Sequence, residues 1–96
     1  MRGSYLITYD IRDDKRLRRV YKTMRNWGDH LQYSVFECQL SDEELAQLRG
    51  DLGEIINHAH DQILIIYLGP AANRGERAIQ AIGQPYIQVD SPCYIV

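Results

Sequence analysis

Cysteine is scarce in this 96-residue chain: Cys38 and Cys93 are the only two. They form neither a disulfide framework nor the paired Cys-x-x-Cys spacing of a zinc site, so a cytoplasmic, reducing location is expected. Net charge is nearly absent too, at −2, and says nothing of partners until its distribution is known. No basic-then-apolar leader and no apolar run of about 18 residues occur, so neither secretion nor a membrane span is expected. Linkers, repeats and low-complexity stretches are missing, and the length allows one domain, residues 1–96. Such a chain buries roughly 60 to 65% of its unfolded surface, a modest core to which a dimer interface would add.

The small net charge hides two ends. Arg12, Lys15, Arg16, Arg18, Arg19, Lys22 and Arg25 are seven of the eleven basic residues, opposed locally only by Asp13 and Asp14. Between 37 and 61 the balance reverses, with Glu37, Asp42, Glu43, Glu44, Asp51, Glu54 and Asp61 facing Arg49 alone.

"SYLITY" (4–9) reads as a strand. Leu17, Val20, Tyr21, Met24 and Trp27 then fall at helical spacing, with Asp13 or Asp14 as N-cap and Gly28 as a stop. "LQYSVFECQL" (31–40) reads as a second strand. Ser41 with Glu44 offers a capping box to a helix faced by Leu45, Leu48, Leu52, Ile55 and Ile56. "ILIIYL" (63–68), closed by Gly69-Pro70, reads as a central strand, and "RAIQAIG" (77–83) as a fourth. The tail from Pro85 holds two short strand-like pieces split by Pro92. The expectation is an α+β, ferredoxin-like β-α-β-β-α-β sandwich with an extra C-terminal strand. Neither sheet face is clearly hydrophilic, which predicts a homodimer joined through sheet faces.

Chemistry has few places to reside. Asp10 ends the first strand as a lone acid beside the basic cluster. Alone it is as well explained as a turn or cap residue. If two-fold symmetry brings its copy close, two carboxylates converge, enough for Mg²⁺ that keeps waters and recruits a phosphate. Lys15 and Arg16 stand in a first helical turn, where the dipole disfavours cations. Helix stability does not explain them; a phosphate backbone does, and so does a solvated face. Tyr33 and Phe36 around Ser34 could stack bases, or fill the core. His58-x-His60 lacks a third and fourth ligand for zinc, and Cys38 has no neighbouring histidine to activate it.

"YLITYDI" (5–11), "KRLRRVYKTMRNWG" (15–28) and "LQYSVFE" (31–37) together resemble the small CRISPR-associated endoribonuclease family, the second of the two core Cas proteins of spacer acquisition. The resemblance implies a ferredoxin-like homodimer whose tail, about 86–96, crosses onto the partner's sheet. It implies a Mg²⁺ site, open to another divalent ion such as Mn²⁺, with one Asp10 from each subunit. It adds Tyr9, Ser34 and Phe36 to a catalytic neighbourhood, and makes Arg12, Lys15, Arg16, Arg18, Arg19, Lys22 and Arg25 a nucleic-acid surface. His30 stands where many relatives carry a basic residue, so a pH-dependent phosphate contact is expected there. Three functions follow: a metal-dependent endonuclease on single-stranded RNA or duplex DNA, a non-catalytic bridge between dimers of the CRISPR integrase, or a toxin-like RNA interferase.

Overall fold

Strand alternation sets the core. In β1 (Gly3–Asp10) the side chains of Tyr5, Ile7 and Tyr9 are buried together, while Leu6 and Thr8 between them are half-buried and Asp10 is exposed. The computed structural model describes residues 1–71 and 79–86. Over these the order is β1, α1 (Asp14–Arg25), β2 (Gly28–Gln32), β3 (Val35–Leu40), α2 (Asp42–Ile55) and β4 (Gln62–Pro70), with the antiparallel sheet ordered β2-β3-β1-β4. This is the ferredoxin-like α+β fold.

Both helices begin where the sequence places caps. Asp13 accepts from the Arg16 amide at 3.0 Å, and Ser41 and Glu44 form the reciprocal capping box. From α1, Val20, Tyr21 and Met24 pack with Phe36, Cys38 and Leu40 of β3 and with Leu48 and Leu52 of α2. Leu17, Trp27, Leu45, Ile55 and Ile56 border that core.

Three strand expectations need correction. Residues 31–40 are not one strand: Tyr33 and Ser34 form a turn, and β2 and β3 pair as a hairpin. A register shift falls between His30 and Gln32, and neither Tyr33 nor Ser34 has a positive φ. Gly28 therefore opens a strand. Its Cβ would collide with Cys38 Sγ and the Glu37 carbonyl oxygen, so only glycine allows β2 to lie so close to β3. The helix ends before it through Asn26 and Trp27 amides donating to Thr23 and Met24 carbonyls. The 63–68 run, read as central, belongs to β4, which pairs only with β1 among the described residues and leaves Leu64, Ile66 and Leu68 exposed. Residues 79–83 form no strand; the rest of 77–83 and the tail beyond Tyr86 lie outside the described residues.

Candidate nucleic-acid interface and metal ligand

Asp10 closes β1 opposite Gln62 of β4. Its carboxylate is about two-thirds exposed and has Arg12 Nε at 3.7 Å, a loose solvent-facing pair. The backbone on its N-terminal side is held: the Tyr9 amide donates to the Ser34 carbonyl at 3.1 Å, tying the hairpin turn to the end of β1. Tyr9, Asp10 and Ser34 are thus brought to one end of the sheet. What Ser34 contributes to that junction is its carbonyl.

Tyr9 and Phe36 belong to the interior, which corrects their place in the catalytic set. Phe36 is fully shielded, with the Tyr9 ring stacked 6.2 Å away and His30 stacked 4.7 Å away. No base can reach it. The Tyr9 hydroxyl is buried without a hydrogen-bond partner among the described residues. Burial, with Tyr21 and Tyr33 adding, pushes its phenol above the usual range, away from any role as a base at neutral pH. His30 is also buried, its Nε2–H donating to the Tyr33 carbonyl at 3.2 Å, so it is no surface contact for phosphate. Tyr33 is the aromatic of this hairpin that faces solvent, 63% exposed. Burial and the Glu37 charge push the Cys38 thiol up to about 12, which keeps it an inert core group.

The arginines divide. Lys15, Arg18, Arg19 and Lys22 are exposed along α1, and Arg12 is exposed beside Asp10. Arg25 is half-buried, its guanidinium 5.9 Å from the Tyr21 ring centre and near the Tyr21 hydroxyl. Arg16 is committed inward. Its Nε and Nη2 fork onto Asp61 at 2.8 and 3.2 Å, and the Asp61 side chain is fully shielded from water. Asp61 also accepts from the Arg12 and Asn57 amides. The Arg16 fork, helped by those amides against the opposing effect of burial, holds the Asp61 carboxyl well below the usual range. Sequence reading counted Asp61 only within an acidic stretch. The pair is 45 residues apart, and nothing in local spacing announces it.

Among the described residues no group of three or more His, Cys, Asp or Glu side chains converges as a metal site. Asp10 offers one hard oxygen ligand with open solvent around it. That suits Mg²⁺ bound chiefly by water and substrate, provided that a second carboxylate comes from another copy.

The sequence profile of the family described as "CRISPR associated protein Cas2" matches residues 3–74. The chain is 41% identical over 86 residues, 90% of each protein, to "CRISPR-associated endoribonuclease Cas2" of Geobacter sulfurreducens. It is 36% identical over 93 residues, covering 91% of this chain and 94% of the relative, to "CRISPR-associated endonuclease Cas2" of Halalkalibacterium halodurans. The crystal structure of Streptococcus pyogenes Cas2 superposes with a TM-score of 0.69 at 30% identity, over 83% of this chain and 99% of that one.

Proposed function

The chain belongs to the CRISPR-associated Cas2 family, and from that premise we propose that it is a Mg²⁺-dependent endonuclease acting as a homodimer in CRISPR spacer acquisition. The observation that carries the reading is the exposed Asp10 carboxylate standing beside Arg12, at the end of β1 from which the basic helix begins. Asp10 from each of two copies would hold the cation. When bound, Mg²⁺ polarises a phosphodiester and activates water for its hydrolysis.

The chain's own residues bind and orient the nucleic acid. Lys15, Arg18, Arg19 and Lys22 offer cations along α1 to successive phosphates, and Arg12 neutralises charge next to the scissile group. Tyr33 presents a stacking face beside them. Arg16, Tyr9 and Phe36 shape the support beneath. The relatives' names divide between endoribonuclease and endonuclease, so single-stranded RNA and duplex DNA are both substrates to be tested. In the same reading the exposed apolar side chains of β4 face a second copy, whose tail adds to the sheet, and the dimer joins the CRISPR integrase in the cytoplasm.

A second reading is favoured by one observation: among the described residues no three metal-ligating side chains converge, whereas α1 carries a whole cationic face, which is what a DNA-gripping bridge needs without chemistry. The two part at Asp10. Cleavage of single-stranded RNA and of duplex DNA, with Mg²⁺ and with EDTA, is to be compared for wild type and Asp10→Asn. Loss of at least about 100-fold in the variant, matched by EDTA, is expected of a metal-ligand carboxylate in a nuclease. If neither protein cuts above background while both support integration by the integrase, the chain is a bridge.

A further inference from the structure

Among the described residues the exposed Asp10 carboxylate has no close partner to fix its direction, only Arg12 Nε at 3.7 Å. Any precision in its placement must come from the backbone that carries it. On the N-terminal side that backbone is set by the β ladders and by the Tyr9 amide on the Ser34 carbonyl. On the C-terminal side it enters the turn before α1, whose far end Asp13 caps and whose Arg12 amide is held by a second side-chain group.

That group is Asp61, the residue before Gln62, which itself faces Asp10 across the β1–β4 ladder. Asp61 Oδ1 accepts from the Arg12 amide at 2.9 Å and from Arg16 Nη2 at 3.2 Å. Its Oδ2 accepts from Arg16 Nε at 2.8 Å and from the Asn57 amide at 2.8 Å. Four donors on one fully shielded carboxylate tie the turn, the first turn of α1 and the start of β4 to a single point. A shielded charge is tolerated only with such partners, so the knot stays closed or the local structure opens.

We infer that Asp61 is a positioning residue for Asp10: through the Arg12 amide and the Arg16 fork it fixes the β1–α1 turn, so that the Asp10 carboxylate and the Arg12 side chain present one orientation to cation and phosphate. The inference rests on the reading of Asp10 as a cation ligand. It separates two arginines four residues apart, Arg12 standing at the site and Arg16 serving the frame beneath it. Groups that orient a metal ligand commonly change metal affinity 10- to 100-fold when altered, about the size of effect expected here.

The test uses the full chain with Asp61→Asn, which keeps the shape but turns an amide NH₂ toward two of the four donors. Half-saturating Mg²⁺ for cleavage of a single-stranded RNA should rise about tenfold or more. The KM for RNA should stay within about twofold, because the exposed cations of α1 are untouched. Mn²⁺ binding, read from the free-ion EPR signal, should weaken in step. Amide exchange should accelerate at Arg12 but not at Tyr5 to Ile7. Arg12→Pro against Arg12→Ala repeats the test with the Arg16–Asp61 pair left in place: both lack the guanidinium, and only proline lacks the amide donor. The proline variant should need several-fold more Mg²⁺ than the alanine one.

Unchanged cation dependence in Asp61→Asn and in Arg12→Pro relative to Arg12→Ala overturns the positioning role, even where Arg12 exchange accelerates. Loss of activity with faster exchange throughout β1 overturns it too, because Asp61 then serves only the fold. Asp10→Asn separates the two readings. If that variant loses Mn²⁺ binding and cleavage while Asp61→Asn keeps both, the positioning role alone falls. A wild type indifferent to cation removes the ligand reading and the inference together.

Discussion

Tyr9 and Asp10 are adjacent in sequence and opposite in fate, which follows from the two-residue period of a strand. Tyr9 shares a face with Tyr5 and Ile7 and is buried against Phe36. Asp10 turns the other way into solvent. That division could be read from the alternation, whereas proximity to the aspartate in a family motif suggested a catalytic phenol. A prediction decides between the two. The buried Tyr9 hydroxyl leaves a polar group without a partner among the described residues, and such a group costs about 1–3 kcal/mol. Tyr9→Phe should therefore raise stability by about 1 kcal/mol in urea unfolding and leave cleavage within about twofold. A tenfold loss of cleavage at unchanged stability would return the phenol to the chemistry.

The helices were legible as elements because their signals are local: Asp13, the Ser41–Glu44 box and apolar positions at helical spacing. The β2–β3 hairpin was not. Its turn, Tyr33-Ser34, carries no glycine or asparagine and needs no positive φ, so "LQYSVFECQL" reads as unbroken strand. That β4 has a single partner strand among the described residues was hidden because a run apolar on both faces looks central whether a sheet or another copy covers it. Within α1 the seven-residue basic cluster looked uniform, yet Arg16 is bound to a residue far along the chain. Salt dependence can resolve the cluster. Replacing Arg18 and Lys22 together by alanine should lower the slope of log affinity against log salt on duplex DNA by about 1.8, near 0.9 for each phosphate no longer neutralised. Arg16→Ala should leave that slope unchanged and lower the urea midpoint instead. A full-sized slope change from Arg16→Ala would show that the Asp61 pair opens to meet phosphate.

At the scale of the molecule, the described residues hold one half of a possible centre. Among the described residues β4 stands at the edge of the sheet and exposes Leu64, Ile66, Tyr67 and Leu68, an apolar border that an isolated domain has reason to cover. Two-fold pairing would cover it and bring a second Asp10, so catalysis and assembly would become one property. Mixing experiments can measure that link without a structure of the pair. Wild type is refolded with a threefold excess of Asp10→Asn, so that about three quarters of wild-type chains acquire a variant partner by random pairing. If each centre needs both carboxylates, Mg²⁺-dependent cleavage per wild-type chain should fall to about one quarter of that of the unmixed protein. If each carboxylate instead serves a centre of its own, cleavage per wild-type chain stays level across the series, and if either one suffices at a shared centre it rises by about three quarters. The variant keeps the basic helix and all of β4, so nucleic-acid binding and dimer mass should be constant throughout, and any fall in cleavage would report the missing second carboxylate alone.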